Sequence, residues 1–293
     1  MSDFDQRIAL LASDRESGAS EIVDEAVAIL RDALQARTVL AVARALCRAQ
    51  PTMAPIWNAS LAALEAVEAP ERFEEFAARV ARAPRALTRF AIEHLALGGD
   101  AARPLRLVTL SFSRSVAVVL ETLAEERAVR VACSEARPAL EGRRLAARLS
   151  GAGVPVTCFS DAAVAQALAS ADAVLVGADA VASEWFLNKS GTRMLATTAS
   201  QQGVPLYVVA SRDKFVGHAL SAHIRGKEGA PEEIWEAPPT GVTVRNPYFE
   251  PTPAHLITAV MSDVGLLTPA MLADACEASA ARIPPDLLDR LMG

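Results

Sequence analysis

The chain predicts an α/β protein: a helical N-terminal domain over residues 1–103, followed by a Rossmann-like, doubly wound parallel sheet over residues 104–293. Three observations support this. Up to about residue 103, apolar residues recur at helical spacing. From Leu105 onward, short unbroken apolar runs alternate with helical stretches of roughly a dozen or more residues, the pattern of parallel strands covered on both faces. Hydrophobic residues make up 52% of the 293 positions, enough for a substantial core.

In the first half, Ile22, Val23, Ala26, Ile29, Leu30 and Leu34 fall on one helix face behind Gly18-Ala19-Ser20-Glu21. Further helices are expected over residues 38–49, 55–67, 71–82 and 86–96, with Pro51, Pro55, Pro70 and Pro84 as the breaks between them. Gly98-Gly99-Asp100 reads as the joint between halves. The strand runs are LRLVTL (105–110), VRVACS (129–134), VPVTCF (154–159), AVLVG (173–177) and VPLYVVA (204–210). No GxGxxG follows the first run, so a dinucleotide site is not supported. Pro238-Pro239 and VRNPYFEPTP (244–253) read as an extended arm, with a helical stretch expected near 254–263 and then LLTPAML (266–272).

Charge and cysteine usage narrow the function classes. A net charge of −6 argues against nucleic-acid binding through a bulk basic surface. The four cysteines form no CxxC pair, and no HExxH occurs, so neither a zinc site nor any other metal or redox cofactor is expected. Nothing marks the chain as secreted, so disulfides are not expected either. The N-terminus lacks the basic start and apolar run of a signal peptide, and no apolar stretch reaches the length of a membrane span. The expectation is a cytoplasmic protein with no membrane partner.

In an open parallel sheet, ligands bind beyond the carboxyl ends of the strands. The residues there are Ser111, Ser113 and Arg114; Ser134, Glu135, Arg137 and Pro138; Ser160 and Asp161; Asp179, then Asn188 and Lys189; and Ser211, Arg212, Asp213 and Lys214. Hydroxyls and cations in this number suit a small anion such as a phosphorylated sugar. A helix start read at Asn188–Thr192 adds amide donors and a positive dipole end. Several of these residues also have plainer readings: Asp161 as a helix N-cap, Glu135 with Arg137 as a surface ion pair, Lys189 as a solvated helix start, and Cys133 as inert core. Asp179 ends a buried run and has no evident capping role, which marks it as a site carboxylate.

The segments GADAV (177–181), NKSGTRMLA (188–196) and GVPLYVVASRDKF (203–215) resemble the superfamily of the regulatory subunits of initiation factor 2B, methylthioribose-1-phosphate isomerase and ribose-1,5-bisphosphate isomerase. Residues 14–22, 48–59, 107–116, 133–146 and 246–269 follow the same order, so the likeness covers nearly the whole chain. It implies a homodimer or larger homo-oligomer built through the Rossmann-like domain, and a sugar-phosphate pocket between the two domains.

The resemblance also implies site roles. In the isomerases, an acid at the position of Asp179 works with a cysteine just after the first Rossmann strand to interconvert a 1-phosphorylated aldose and a 2-ketose. Here that cysteine position holds Ser111. Cys133, on the next strand, is the other candidate partner for Asp179. Asn188, Lys189, Arg137, Lys214 and the Gly18-Ala19 segment correspond to substrate-holding positions. Ser17 stands where the isomerases carry an arginine. The two functions implied are an aldose–ketose isomerase of a pentose 1-phosphate and a non-catalytic, factor-like subunit that binds a sugar phosphate or nucleotide.

Overall fold

The computed structural model describes residues 3–14, 19–96, 103–280 and 285–293. The N-terminal part comprises α1 (Asp3–Ser13), α2 (Ala19–Gln35), α3 (Val39–Ala49), α4 (Ala54–Glu65) and α5 (Glu71–Ala96). At its centre lies α4, with Ala54, Ile56, Trp57, Ala59, Leu61, Ala63 and Leu64 all buried. Its alternation of small and large side chains lets α2, α3 and α5 pack against it closely.

Pro84 does not break the fourth expected helix from the fifth: α5 is one helix of 26 residues with Pro84 inside it. An interior proline costs a helical hydrogen bond, and burial on either side of it outweighs that cost. Phe73 and Phe76 are in the helical core, whereas Leu87, Ala91, Ile92 and Leu95 are in the core beneath the sheet.

The second part runs β1 (Leu105–Thr109), α6 (Arg114–Glu126), β2 (Val129–Ser134), α7 (Glu141–Gly151), β3 (Val156–Phe159), β4 (Ala173–Val176), β5 (Ala180–Val181), β6 (Trp185–Lys189), α8 (Thr192–Gln202), β7 (Leu206–Val209), α9 (His218–Ser221), β8 (Phe249–Pro253), β9 (Ala259–Ser262), β10 (Gly265–Leu267), α10 (Leu272–Ala280) and α11 (Pro285–Met292). The main sheet has seven strands in the order β10-β9-β7-β4-β1-β2-β3. All its pairings are parallel except that of β10 with β9. Chain order reverses between β1 and β4, which opens a crevice at their carboxyl ends. A second, three-stranded sheet, β5-β6-β8, sits over that end.

The expected helix near residues 254–263 is largely a strand. Only a 3₁₀ turn forms at Ala254–Leu256, and β9 follows, fully buried and paired with β7. A short apolar run such as AVMS fits either a buried strand or a buried helix, and here pairing with the sheet decides. Residues of the second part also enter the helical core: Ala180 and Leu187 from the small sheet, Ala182 from the turn between β5 and β6, and Leu220 from α9. On α11, Leu287 and Leu291 pack against α3 and α4, and Arg44 donates to the Arg290 carbonyl at 3.0 and 2.6 Å. Among the described residues, no helix is long and apolar enough to cross a membrane.

Candidate functional site

Two turns meet where β1 and β4 end. Beyond β1, Ser111 adopts a left-handed backbone with φ 65°, unusual for a residue with a side chain. Ser113 then caps α6, its hydroxyl accepting from the Val116 amide at 3.4 Å. Beyond β4 come Gly177, Ala178 and Asp179. A Cβ on Gly177 would lie 2.6 Å from Ser113 Oγ and 2.7 Å from its Cβ, so only glycine lets the two turns approach this closely.

The backbone of Asp179 is pinned on both sides. Its amide donates to the Leu187 carbonyl at 2.8 Å, and its carbonyl accepts from the Ala54 amide at 3.0 Å, at the first turn of α4. Its side chain lines a cleft of about 350 Å³ between the helical part and the sheet. Burial pushes the Asp179 carboxyl up to about 6, while the charges of Lys214 and then Lys189 act in the opposite sense.

Asn188 and Lys189 reach the cleft from the end of β6. Asn188 Nδ2 donates to Thr192 Oγ1 at 3.0 Å. Lys189 Nζ lies 2.9 Å from Glu141 Oε1, at the start of α7, and 4.0 Å from the centre of the Tyr248 ring. Lys214 Nζ donates to the Ala178 carbonyl at 2.6 Å. The turn that carries Lys214 is held by Asn58 of α4, which donates to the carbonyls of Asp213 and Phe215 at 2.7 and 3.0 Å. An ammonium group has three N–H donors, so both lysines retain capacity for an anionic guest.

The structure therefore brings together Ala19, Ser111, Asp179, Asn188, Lys189 and Lys214 around one cleft. Gly18 lies outside the described residues. Arg137 does not line the cleft: it is exposed, and its backbone amide donates to Asp161 Oδ2 at 2.7 Å. Cys133 does not line it either. This thiol is fully buried, 3.8 Å from the Gly142 carbonyl, and burial pushes it up to about 12.

Three plainer readings also change. Asp161 holds the loop after β2, accepting from the amides of Ala136 and Arg137, rather than capping a helix. Glu135 pairs with Arg143, not Arg137. Asn188 and Lys189 end a strand; α8 starts at Thr192, and its first amides are occupied, since Gly191 and Arg193 donate to Glu250 Oε1 at 2.7 and 3.0 Å.

Sequence reasoning missed Gln50, Glu141, Arg144, Lys227 and Tyr248, all of which line the cleft. Glu141 and Arg144 are three apart in a helical stretch, which places them on one face, so they were findable once one of them was suspected. Lys227 and Tyr248 carry no such signal: they reach the cleft through pairing of distant segments, with the Tyr248 amide donating to the Lys227 carbonyl at 3.0 Å.

Comparison with known proteins agrees with this architecture. Ribose 1,5-bisphosphate isomerase of Methanocaldococcus jannaschii is 35% identical over 159 residues, 53% of this chain and 52% of that protein. Methylthioribose-1-phosphate isomerase of Thermosynechococcus vestitus is 34% identical over 177 residues, 57% of this chain and 50% of that protein. The chain thus spans about half the length of these two relatives. The alignment with ribose 1,5-bisphosphate isomerase of Haloferax volcanii is longer, at 30% identity over 273 residues, 86% of this chain and 84% of that protein.

Among solved structures, translation initiation factor eIF-2B of Pyrococcus horikoshii OT3 superposes with a TM-score of 0.77 at 22% identity, covering 92% of this chain and 98% of that one. The 5-methylthioribose 1-phosphate isomerase of the same organism gives 0.70 at 22% identity, covering 96% and 88%. These likenesses show a shared fold. Residues 15–269 match the Initiation factor 2 subunit family across most of the chain, and the chain belongs to that family.

Proposed function

We propose that the cleft binds a phosphorylated pentose and interconverts its aldose and ketose forms, with Asp179 as the acid–base group. The observation that supports this reading is the Asp179 carboxyl, which lines a cleft with Lys189 and Lys214 and is raised by burial to about 6 against their charges. Moving a proton between C2 and C1 of a sugar calls for a group that both takes and returns it near neutral pH, and a carboxyl tuned upward meets that need. Lys189 and Lys214 would hold the phosphate and keep Asp179 from rising further. Ser111, on the neighbouring turn, would hydrogen-bond the sugar oxygen whose charge changes. A hydroxyl needs an adjacent base to act as more than that, and Asp179, on the neighbouring turn, is a carboxylate lining the same cleft.

The decisive measurement is turnover of ribose 1,5-bisphosphate and of methylthioribose 1-phosphate, the substrates named for the relatives, by the wild-type chain and by Asp179→Asn. Equal turnover by the two proteins overturns the assignment. A second reading, a non-catalytic sugar-phosphate or nucleotide binder, is favoured by Ser111 standing where the resembling isomerases carry cysteine. It expects ligand-induced thermal stabilisation with no product formed. Both readings include a homodimer built through the sheet domain; sedimentation as a monomer at every concentration would remove that part.

A further inference from the structure

Cys133 has no place in the cleft, and its surroundings suggest a different chemistry. On β2 it sits directly opposite Cys158 on β3, in a parallel pairing whose register matches Ala132 to Thr157, Cys133 to Cys158 and Ser134 to Phe159. Adjacent strands lie about 4.8 Å apart, within the span a disulfide bridges between α-carbons, roughly 4.4–6.8 Å. Facing residues of a parallel pair project from the same side of the sheet, so the two thiols face each other. The Cys158 thiol is also one of the neighbours that raise the Cys133 thiol, after burial, the larger cause. Access is unequal: Cys158 is exposed on the edge strand, while Cys133 is fully buried beside it. The other two cysteines lie in separate cores, Cys47 beside Ser60 and Cys276 beside the Val181 carbonyl.

We propose that Cys133 and Cys158 are a modification site, a dithiol that a peroxide converts to a disulfide joining β2 to β3. The site lies outside the cleft and does not depend on the reading of the cleft. In the first step the exposed Cys158 sulfur attacks the peroxide O–O bond; Cys158 becomes a sulfenic acid and one water leaves. In the second, the Cys133 sulfur attacks the Cys158 sulfur, the S–S bond forms, and the hydroxyl leaves as a second water with the Cys133 proton. Two thiols lose two electrons and two hydrogens in all, and the peroxide is reduced to water. The second step needs the Cys133 thiolate, and burial holds that proton tightly. Closure is therefore slow at neutral pH and quickens about tenfold per pH unit on the alkaline side.

The test treats the intact chain with equimolar hydrogen peroxide at pH 7 and at pH 9. Expected results are a fall in titratable thiols of the unfolded protein from four to two, an intact mass lower by two hydrogens, and a cross-linked peptide pair containing Cys133 and Cys158. The Cys158→Ser variant, altered at an exposed position, should keep all three remaining thiols under the same treatment. A Cys158 sulfinic acid beside a free Cys133 overturns the proposal. So does a disulfide joining two chains through Cys158, or loss of the Cys133 thiol in Cys158→Ser.

Discussion

The rim of the main sheet has two stretches with nearly the same residue types and opposite uses. At the ends of β2 and β3, Asp161 accepts from the amides of Ala136 and Arg137, and Glu135 is paired with Arg143. The charged groups of that stretch are satisfied among themselves, although the buried Ser134 hydroxyl beside them has no partner among the described residues. At the ends of β1 and β4, Asp179 has no hydrogen-bond partner for its carboxylate among the described residues, and the two nearby lysines act on it through charge. Residue type alone does not separate a brace from a site. Unspent hydrogen-bonding capacity at the point where strand order reverses does separate them, because only that leaves something for a ligand to satisfy.

The contrast can be tested from both sides. The largest effect is expected at Asp179. Asp179→Asn should lower the proposed aldose–ketose turnover by roughly 10²- to 10⁴-fold, and it should also stabilise the fold at alkaline pH. Unfolded, this carboxyl titrates at its ordinary value of 3.8; folded, it holds its proton to about 6. The folded state binds more protons in between, so the wild type loses stability as pH rises from about 4 to 6 and stays lower above that. The asparagine variant lacks this loss, a gap of about 2–3 kcal/mol. Urea unfolding at pH 4 and pH 8 measures it, and a gap that widens toward acid contradicts the burial described.

Next comes Gly177→Ala, which places a methyl group against Ser113. It should cost about 1–3 kcal/mol and weaken ligand binding with it, since the two turns must part. Unchanged binding, read by calorimetry with a sugar phosphate, would mean that their close approach is not what shapes the cleft. Asp161→Ala on the braced side leaves the Ala136 and Arg137 amides unpaired, costing about 1–2 kcal/mol in urea unfolding, and ligand affinity should stay unchanged. Smallest is Arg137→Ala, within about 0.5 kcal/mol of the wild type and silent in ligand binding. A tenfold weakening there would return Arg137 to the site and erase the distinction.

Much of this was legible in the chain. Unbroken apolar runs revealed five of the parallel strands, most plainly β4, which is buried along its whole length; the edge strand β3 was found despite being half exposed. Asp179 stood out as a charge ending such a run. The misreadings share a cause: local pattern was read where long-range contact decides. Pro84 is a helix breaker by propensity, yet burial on both sides of it carries α5 through. The AVMS run became β9 because β7 offered it an edge. Arg137 looked like a phosphate ligand by position, but its loop is turned by Asp161, 24 residues onward. The helix start inferred at Asn188 was four residues early, since α8 begins at Thr192, and Glu250, distant in sequence, occupies the amides a phosphate was expected to use.

The unbroken passage of α5 from one core into the other has a mechanical consequence. A rigid rod anchored at both ends keeps the two halves from swinging apart as a clam shell does, unless the rod itself bends. The cleft also has a wall that belongs to neither core: Lys227, Glu233 and Tyr248 line it from the segment leading into β8. With the two cores fixed against each other, the width of the cleft is set by the fold itself and not by a hinge between its halves.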